Sequence, residues 1–546
     1  MMCWRRSRPT RSASDGGRSG RRLVSSHHSL VFIGFMGAGK TRAAQAVAER
    51  LGLGVIDTDD LLEAEIGEPI EAFFEREGEH EFRRREERLV VSALDALAAQ
   101  VGGPASVVSL GGGAVERVAV QRALAEHLPI WCDVDEDVAW ERSSGPGRPL
   151  AKDREEFTRL FAARRPTYEK LARAILPSEA RAAAEAAAPW LAAMQGEPGV
   201  RMAWAESEGG SYPAMVGEGA VGLLDDAREA LPDAVPARAF CVADSAALEQ
   251  HSRVLPRREA TIEVEGAESS KTIAEAEQVL RELAEAGARR DDCVLAFGGG
   301  VVGDLAGFCA ATYQRGISLV QAPTTLVAQV DSAYGGKTGV DLPEAKNYVG
   351  AYHQPIAVLA DPTLLRTLPG EELAAGFVEV LKTGMIAGGQ LWERVRQIDT
   401  LDPDTLADVI FECARTKIAV VAEDERDSGR RAVLNLGHTV GHAIEAVTGY
   451  GRYRHGEAVG LGLLAALRLS GADELRTEVE GLLASHGLPV SLDAGISIDQ
   501  VMDAVDRDKK RTSEGIGFVL IDRPGEPRWG ESVDPGRVRA AVEELR

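Results

Sequence analysis

Long apolar runs, paired cysteines and an excess of basic residues are all missing from this chain of 546 residues. No apolar stretch reaches the roughly 20 residues that a membrane-spanning helix needs. The six cysteines include no CxxC pair, which argues against a disulfide framework or a zinc knuckle and favours reduced thiols in a cytoplasmic protein. The 62 basic and 85 acidic residues give a net charge of -23, which argues against nucleic acid and anionic membranes as partners.

Aromatic residues are also few, at 5% of the chain, but the hydrophobic share of 45% is that of an ordinary globular protein. A chain of this length is too long for a single hydrophobic core, and about two to four domains are expected. Because the protein is acidic overall, an anionic substrate would need local basic pockets.

The N-terminal residues 1–28 differ from the rest, since they contain seven arginines and one acidic residue. This composition is also found in organelle transit peptides, but no amphipathic helix is visible. We therefore predict a disordered basic tail, and an extended start site remains an alternative.

A phosphate-binding loop follows the first apolar strand. The stretch Gly34-Phe-Met-Gly-Ala-Gly-Lys-Thr41 is GxxxxGKT between a strand and a helix, the context that this motif requires. Lys40 is predicted to reach the β- and γ-phosphates of a nucleotide, and Thr41 to hold Mg²⁺. Asp57 and Asp59 end the next strand, where side chains face the ligand crevice. Asp57 could bind Mg²⁺ through water, and Asp59 could accept hydrogen bonds from a hydroxyl substrate.

Four further motifs come in order after the loop: Gly78-Glu-His-Glu-Phe-Arg83, Gly111-Gly-Gly113, Ser143-Ser-Gly-Pro-Gly-Arg-Pro-Leu150 and Arg164-Arg-Pro-Thr-Tyr168. With them, residues 29–190 resemble a shikimate kinase. The resemblance implies a P-loop kinase domain, with a parallel sheet between two layers of helices, that uses ATP and Mg²⁺. It places Lys40, Asp59 and the lid residue Arg148 in catalysis. The implied ATP contacts are Gly37, Ala38, Gly39, Lys40, Thr41, Arg142 and Arg148. The implied shikimate contacts are Asp59, Arg83, Gly111, Gly112, Gly113 and Arg164.

Glycine, proline and serine then accumulate near residues 196–211. A stretch of this composition predicts a linker, which we place at residues 191–211. A protease would be expected to cut there and to release two folded fragments.

Histidines are scarce in the chain, yet three of the ten lie close together. His438 and His442 are four residues apart and would share one helix face, and His455 follows after a loop. Two histidines and a carboxylate, for which Glu379 is the candidate, would leave an open position on a catalytic metal ion. Buried, hydrogen-bonded histidines are the alternative.

A second glycine cluster, Gly298-Gly-Gly-Val-Val-Gly-Asp304, follows an apolar strand and precedes a helix. This is typical of a dinucleotide or phosphate cradle, although the spacing is not GxGxxG. Later motifs include Gln321-Ala-Pro-Thr-Thr325, Val330-Asp-Ser-Ala-Tyr-Gly-Gly-Lys337 and Glu379-Val-Leu-Lys382. Together with the histidine region they closely resemble 3-dehydroquinate synthase.

That resemblance implies a Rossmann-like α/β NAD-binding part at residues 212–360 and an all-helical metal- and substrate-binding part at residues 361–546. It assigns Zn²⁺ (or Co²⁺) to Glu379, His438 and His455, and moves His442 to the substrate. The implied NAD contacts are Glu268, Lys271, Gly300, Val301, Val302, Gly303, Asp304, Thr324, Thr325, Asp331, Lys337, Lys346, Asn347, Leu364 and Thr367. The implied catalytic and substrate-binding residues are Lys382, Lys417, Arg431, Asn435, His442, Lys509 and Lys510.

The whole sequence thus predicts a bifunctional shikimate-pathway enzyme. One reaction would phosphorylate shikimate with ATP. The other would convert 3-deoxy-D-arabino-heptulosonate 7-phosphate to 3-dehydroquinate, with NAD and a divalent metal. The alternatives are a different sugar-phosphate cyclase or a metal-dependent NAD alcohol dehydrogenase in the second half, and an ATP-sensing module in the first. Small-molecule substrates, a homodimer through the synthase half and a cytoplasmic location are further expectations.

Overall fold

The computed structural model describes residues 28–100, 106–144, 153–178, 181–449, 451–510 and 517–546. Of the predicted tail at residues 1–28, only His28 falls within these ranges, and its Nδ1 lies 2.6 Å from the carbonyl oxygen of Glu126. The predicted lid residue Arg148 and the side chains of Lys509 and Lys510 lie outside what is described.

The strands within these ranges are β1 (Leu30–Ile33), β2 (Val55–Asp57), β3 (Val107–Ser109), β4 (Leu128–Asp133), β5 (Ala174–Pro177), β6 (Arg201–Ser207), β7 (Gly210–Val216), β8 (Ala239–Asp244), β9 (Ala260–Val264), β10 (Cys293–Gly298), β11 (Ser318–Pro323), β12 (Lys337–Leu342), β13 (Ala345–Tyr352), β14 (Ala357–Ala360), β15 (Phe518–Ile521) and β16 (Pro527–Glu531).

The α-helices are α1 (Lys40–Leu51), α2 (Thr58–Ile66), α3 (Ile70–Ala98), α4 (Val118–Leu124), α5 (Glu136–Ser143), α6 (Arg154–Leu171), α7 (Arg181–Ala193), α8 (Leu223–Ala230), α9 (Ser245–His251), α10 (Ile273–Glu285), α11 (Gly300–Thr312), α12 (Gly370–Ala387), α13 (Gly389–Val395), α14 (Pro403–Glu423), α15 (His438–Val447), α16 (His455–Ser470), α17 (Asp473–Ser485), α18 (Ile498–Lys510) and α19 (Pro535–Glu543).

The first half is built on five parallel strands in the order β2-β3-β1-β4-β5. The central strand β1 is fully buried, as its sequence Leu-Val-Phe-Ile predicts for a strand covered on both faces. The loop after β1 leads directly into α1, so the phosphate-binding motif lies at the carboxyl edge of the sheet. The predicted P-loop α/β fold is confirmed.

The second half continues with the strands β6-β7-β14-β11-β10-β8-β9. Apart from the antiparallel hairpin of β6 and β7, the neighbouring strands are parallel, which confirms the Rossmann-like part. Strand β10 ends at Gly298 and α11 begins at Gly300, so the second glycine cluster also joins a strand to a helix at the carboxyl edge.

The two halves share a single sheet, because β5 pairs with β6 in parallel. The amide of Met202 donates to the carbonyl of Arg173 at 2.8 Å. Helix α7 packs against α1 on one side and α8 on the other. A single cluster of buried apolar side chains extends from Leu30 to Leu545.

The prediction of a linker at residues 191–211 is therefore wrong, because most of these residues lie in helices and strands. The end of α7 and the strand β6 occupy much of this range, and the apolar run from Met202 to Ala205 is buried. The glycines and prolines that suggested a linker mark only the turn before β6 and the tip of its hairpin with β7. Because β6 lies between β5 and β7 inside the sheet, a protease is not expected to separate two fragments there, in contrast to the prediction from the sequence.

The C-terminal part is helical from α12 onward, as predicted, but it is not all-helical. The apolar run Phe518–Ile521 forms β15, which pairs antiparallel with β16 and packs against α16. In the part of the chain that the structure describes, no helix combines the length and the apolar character needed to cross a membrane.

Candidate active sites

The phosphate-binding loop adopts backbone angles that favour glycine at two of its positions. Gly37 and Gly39 have φ angles of 79° and 77°, in the left-handed region where a side chain would be strained. Lys40 Nζ donates to the carbonyl of Phe35 at 3.1 Å. Thr41 Oγ1 donates to Asp57 Oδ2 at 2.9 Å, so the two residues predicted to hold Mg²⁺ lie together.

A cavity of about 1400 Å³ opens in front of this loop. Its lining contains most of the residues that the sequence assigned to ATP and shikimate: Gly37, Gly39, Lys40, Thr41, Asp59, Arg83, Gly111, Gly112, Gly113, Arg142 and Arg164. Ala38 is instead buried within the loop, at 1% exposure. The cavity thus brings together residues from the whole first half of the chain.

Two of the arginines that line this cavity, Arg83 and Arg164, each have an acidic partner. Arg83 Nη1 donates to Glu86 Oε2 at 2.6 Å, and both side chains are buried. Arg164 Nη2 donates to Glu116 Oε2, also at 2.6 Å. We did not identify either glutamate from the sequence. Glu86 could have been found, because it lies three residues after Arg83 on the same helix face.

Asp59, which the sequence assigns to shikimate binding, lines the same cavity. Burial raises its pKa to about 6, although Lys40 acts in the opposite direction. The neighbouring carboxylates of Asp57 and Glu86 raise it further. A carboxyl group with this pKa can exchange a proton near neutral pH.

In the second half, polar residues surround the start of α11. Lys271 is 4% exposed, and its Nζ donates to Asp304 Oδ2 at 2.6 Å and to Asn347 Oδ1 at 2.5 Å. Lys346 Nζ lies 3.0 Å from Glu268 Oε1. Five of the predicted NAD contacts, from three separate segments, therefore meet beside the helix N-terminus, which favours phosphate.

Several other residues that were predicted to contact NAD pair with residues outside this group. Lys337 pairs with Asp427. Thr367 Oγ1 lies 2.6 Å from His251 Nε2, and Leu364 is buried. The carboxylate of Asp331 is held between two lysines, as described below.

The three histidines converge as the sequence predicts, and Glu379 on α12 joins them. Glu379 Oε1 lies 3.7 Å from His438 Nε2 and 3.5 Å from His455 Nε2. Nitrogen atoms of His438, His442 and His455 all lie within 4.8 Å of one another. This set of imidazole and carboxylate donors suits a divalent transition metal. The geometry alone leaves both His442 and Glu379 as candidates for the third ligand.

The ionisable groups of this cluster lie close together, and each shifts the pKa of its neighbours. Burial opposes ionisation of Glu379, but Lys382 and the histidines hold the pKa of its carboxyl well below the usual value. Burial and Lys382 lower the pKa of His438, which keeps that ring neutral, the form that binds metal. Although burial acts against it, hydrogen bonds with Glu379 and Glu445 raise the pKa of His455 to about 10, so metal binding would release its proton.

A group of cations lies next to the cluster. Lys382 Nζ donates to Asp331 Oδ2 at 2.8 Å, and Lys417 pairs with the other oxygen of Asp331. Arg431 is buried, and its Nη2 donates to the carbonyl of Gly335 at 3.1 Å. Asn435 ends the 3₁₀-helix that carries Arg431. This concentration of cations would suit an anionic substrate in an otherwise acidic protein.

Sequence reasoning gave no role to Glu445, although it lies three residues after His442 on α15. Its Oε2 lies 3.3 Å from His455 Nδ1, and its Oε1 lies 3.9 Å from Lys346 Nζ. A carboxylate on the second imidazole nitrogen orients the ring and leaves Nε2 for a metal.

Comparison with known proteins supports both resemblances. Residues 36–195 match the family model described as shikimate kinase. Residues 261–375 and 376–511 match the N-terminal and C-terminal models of 3-dehydroquinate synthase. A 3-dehydroquinate synthase of Symbiobacterium thermophilum is 44% identical over 355 residues, which cover 61% of this chain and 98% of the relative.

Two solved structures share the fold of the second half. The 2-epi-5-epi-valiolone synthase of Streptomyces hygroscopicus subsp. jinggangensis 5008, with NAD⁺ and Zn²⁺ bound, is 25% identical with a TM-score of 0.54, and the match covers 62% of this chain and 98% of that one. A 2-deoxy-scyllo-inosose synthase is 24% identical with a TM-score of 0.55, over 63% and 99% of the two chains. The second match shows the fold alone.

Proposed function

The chain belongs to the 3-dehydroquinate synthase family and carries a shikimate kinase domain ahead of the synthase part, and on this premise we propose which residues perform its two reactions. The kinase phosphorylates shikimate to shikimate 3-phosphate with ATP and Mg²⁺. The synthase converts 3-deoxy-D-arabino-heptulosonate 7-phosphate to 3-dehydroquinate with NAD and a divalent metal, and releases phosphate.

In the kinase, Lys40 and the loop amides hold the nucleotide phosphates, while Thr41 and Asp57 hold Mg²⁺. Arg83 and Arg164 bind the shikimate carboxylate, because guanidinium groups pair with carboxylates bidentately. Asp59 accepts the proton of the attacking hydroxyl. The predicted contacts of Arg142 and Arg148 with the nucleotide remain part of the proposal.

In the synthase, the residues around Lys271 and the start of α11 hold NAD, and Glu379, His438 and His455 hold the metal ion. Bound NAD supplies a reversible hydride acceptor, and the cation stabilises negative charge on the reacting oxygen. Lys382, Lys417 and Arg431 bind the carboxylate and phosphate of the substrate, together with Lys509 and Lys510. His442 lies beside the metal ligands and moves a proton on the substrate.

One observation carries this proposal: Lys382 contacts both Glu379 of the metal-ligand cluster and Asp331, so a substrate that reaches the residues that would hold the metal would also have cations near its phosphate. Purified protein should release phosphate from the heptulosonate phosphate with NAD⁺ and Zn²⁺, and should separately form ADP from ATP with shikimate. A different sugar-phosphate cyclase would instead act on another sugar phosphate and leave the heptulosonate unchanged.

Location and assembly are further parts of the proposal. The five described cysteines are free and buried, which supports a reducing, cytoplasmic location. A homodimer through the synthase part would be seen in analytical ultracentrifugation as a species of twice the chain mass. For the domain borders, we propose a kinase at residues 29–190 and a synthase whose α/β part begins within β6 and ends near residue 360.

Gly113→Ala tests the role of Arg83. The backbone of Gly113 is one that alanine adopts easily, but an added Cβ would lie 2.4 Å from Arg83 Nη1. Arg83 must then move, and we expect the KM for shikimate to rise about tenfold, the value of one charge-assisted hydrogen bond. The KM for ATP should stay constant. Gly54→Ala is the control, since nothing lies within 4 Å of its Cβ. A raised KM for ATP in Gly113→Ala would contradict the assignment.

The pH profile tests the role of Asp59. The base is needed in its ionised form, which is lost as the pH falls through its pKa of about 6. The kcat/KM for shikimate should therefore fall about tenfold per pH unit below that value. Because the Glu86 carboxylate raises this pKa, Glu86→Gln should move the midpoint to lower pH. A midpoint that stays fixed in Glu86→Gln would mean that ATP, rather than Asp59, is titrating.

A further inference from the structure

The two halves meet where β5 pairs with β6, and we call this boundary the seam. A line of charged side chains also connects the two halves there. Arg415 on α14 of the synthase reaches the kinase, where its Nη1 lies 2.7 Å from Glu169 Oε1. The same nitrogen lies 2.9 Å from Glu412 Oε2. Arg201 on β6 continues the line, with 3.5 Å to Glu412 and 3.3 Å to Asp408. We call these five residues the seam network.

The seam network is fixed by its surroundings. The guanidinium of Arg201 lies 3.9 Å from the centre of the Phe411 ring, and α14 packs against β6. The side chain of Arg415 is 20% exposed. Burial acts against its charge, but Glu412 and Glu169 raise the pKa of Arg415. Partly buried pairs such as this are screened less by salt than surface pairs.

Two members of the seam network, Glu169 and Arg415, lie on helices that carry proposed active-site residues. Glu169 follows Tyr168 on α6, and the Tyr168 hydroxyl donates to the carbonyl of Gly112 in the kinase cavity at 2.6 Å. Arg164 is on the same helix. On the synthase side, Lys417 is two residues after Arg415 on α14. Helices α6 and α14, which both carry proposed substrate-binding cations, are thus held together directly.

We propose that Glu169, a residue of the kinase domain, is a positioning residue for the synthase reaction. Through Arg415 it holds α14 where Lys417 meets Asp331 and the substrate. This inference rests on the proposed function of Lys417. If ligands in the kinase site order α6, they should also tighten substrate binding in the synthase site, and by linkage the synthase substrate should tighten kinase binding by the same factor. The two reactions stay chemically separate, and only their binding steps are coupled.

The test measures synthase kinetics in the full-length chain, with and without shikimate plus a non-hydrolysable ATP analogue. In the wild type, we expect the kinase ligands to lower the synthase KM by about threefold, the size of one partly exposed ion pair. Glu169→Gln should raise the synthase KM by about threefold, leave kcat nearly unchanged and abolish the response to kinase ligands. Arg415→Gln should do the same, and the double variant should be no worse than either single one.

The control is Glu49→Gln, which breaks an exposed ion pair of the kinase with Arg181 on α7. It should change neither the synthase KM nor the response. The inference is overturned if the kinase ligands act equally on the wild type and Glu169→Gln, or if Glu169→Gln behaves like the control. Calorimetric titration of the heptulosonate phosphate measures the same coupling without turnover. A chain that binds but does not turn over would therefore refute the proposed function and still test the coupling.

Discussion

His438→Ala is expected to abolish metal binding and the synthase activity, and to leave the kinase activity within about twofold of the wild type. The imidazole of His438 is one of three proposed protein ligands, and two ligands cannot fix the geometry of a catalytic metal ion. With the cation lost, charge on the reacting oxygen is no longer stabilised, which costs several kcal/mol of the barrier and a rate factor of roughly 10³ or more. Metal analysis of the dialysed protein and the two assays give the result.

The matched variants His442→Ala and His455→Ala decide which donors hold the ion. If the ligands are Glu379, His438 and His455, His442→Ala keeps the metal and loses turnover, while His455→Ala loses both. If His442→Ala loses the ion and His455→Ala retains it, the helix-face pair of His438 and His442 is the metal site. The structure brings all three rings together, so only this comparison separates the two assignments.

Lys40→Ala is expected to have the second large effect, a loss of the kinase reaction. Lys40 is the cation of the phosphate-binding loop, where its Nζ is held at 3.1 Å from the carbonyl of Phe35. Without it, charge that develops on the transferred phosphoryl group is not neutralised, and the kinase rate should fall roughly 10²- to 10³-fold. Synthase activity should remain within about threefold, because the two sites do not share reacting groups.

The control for Lys40→Ala is Arg50→Ala, which removes an exposed basic residue from the last turn of the same helix. Both activities should be unchanged in that variant. A loss of synthase turnover in a folded Lys40→Ala protein would contradict separate active sites.

Much of both sites could be predicted from the sequence because their chemistry is carried by contiguous motifs. The loop ending in Thr41 needs only a strand before it and a helix after it, and both are visible locally. The four-residue spacing of His438 and His442 fixes a shared helix face without any tertiary information. Glu379 was the candidate for the carboxylate ligand, but only the fold shows that it lies beside the histidines, because it is far from them in the chain.

The joined sheet could not be predicted, because pairing between β5 and β6 depends on tertiary placement rather than on local pattern. The four-residue apolar run of Met202–Ala205 is short, and the turn-forming residues on both sides were read as a linker. The strand Phe518–Ile521 was not predicted for a similar reason, because it is a short apolar run in a region whose sequence otherwise predicts helices. Glu116 resembles an ordinary surface charge until the fold places it beside Arg164, whereas the i,i+3 spacing of Arg83 and Glu86 is visible in the sequence.

The central claim is that one chain carries two chemically separate active sites. The direct test is to assay Lys40→Ala and His438→Ala side by side, each for both reactions and beside the wild type. The account predicts a crossed result, in which Lys40→Ala retains only synthase turnover and His438→Ala retains only kinase turnover. Loss of both activities in either folded variant, or the absence of one activity from the wild type, would contradict it.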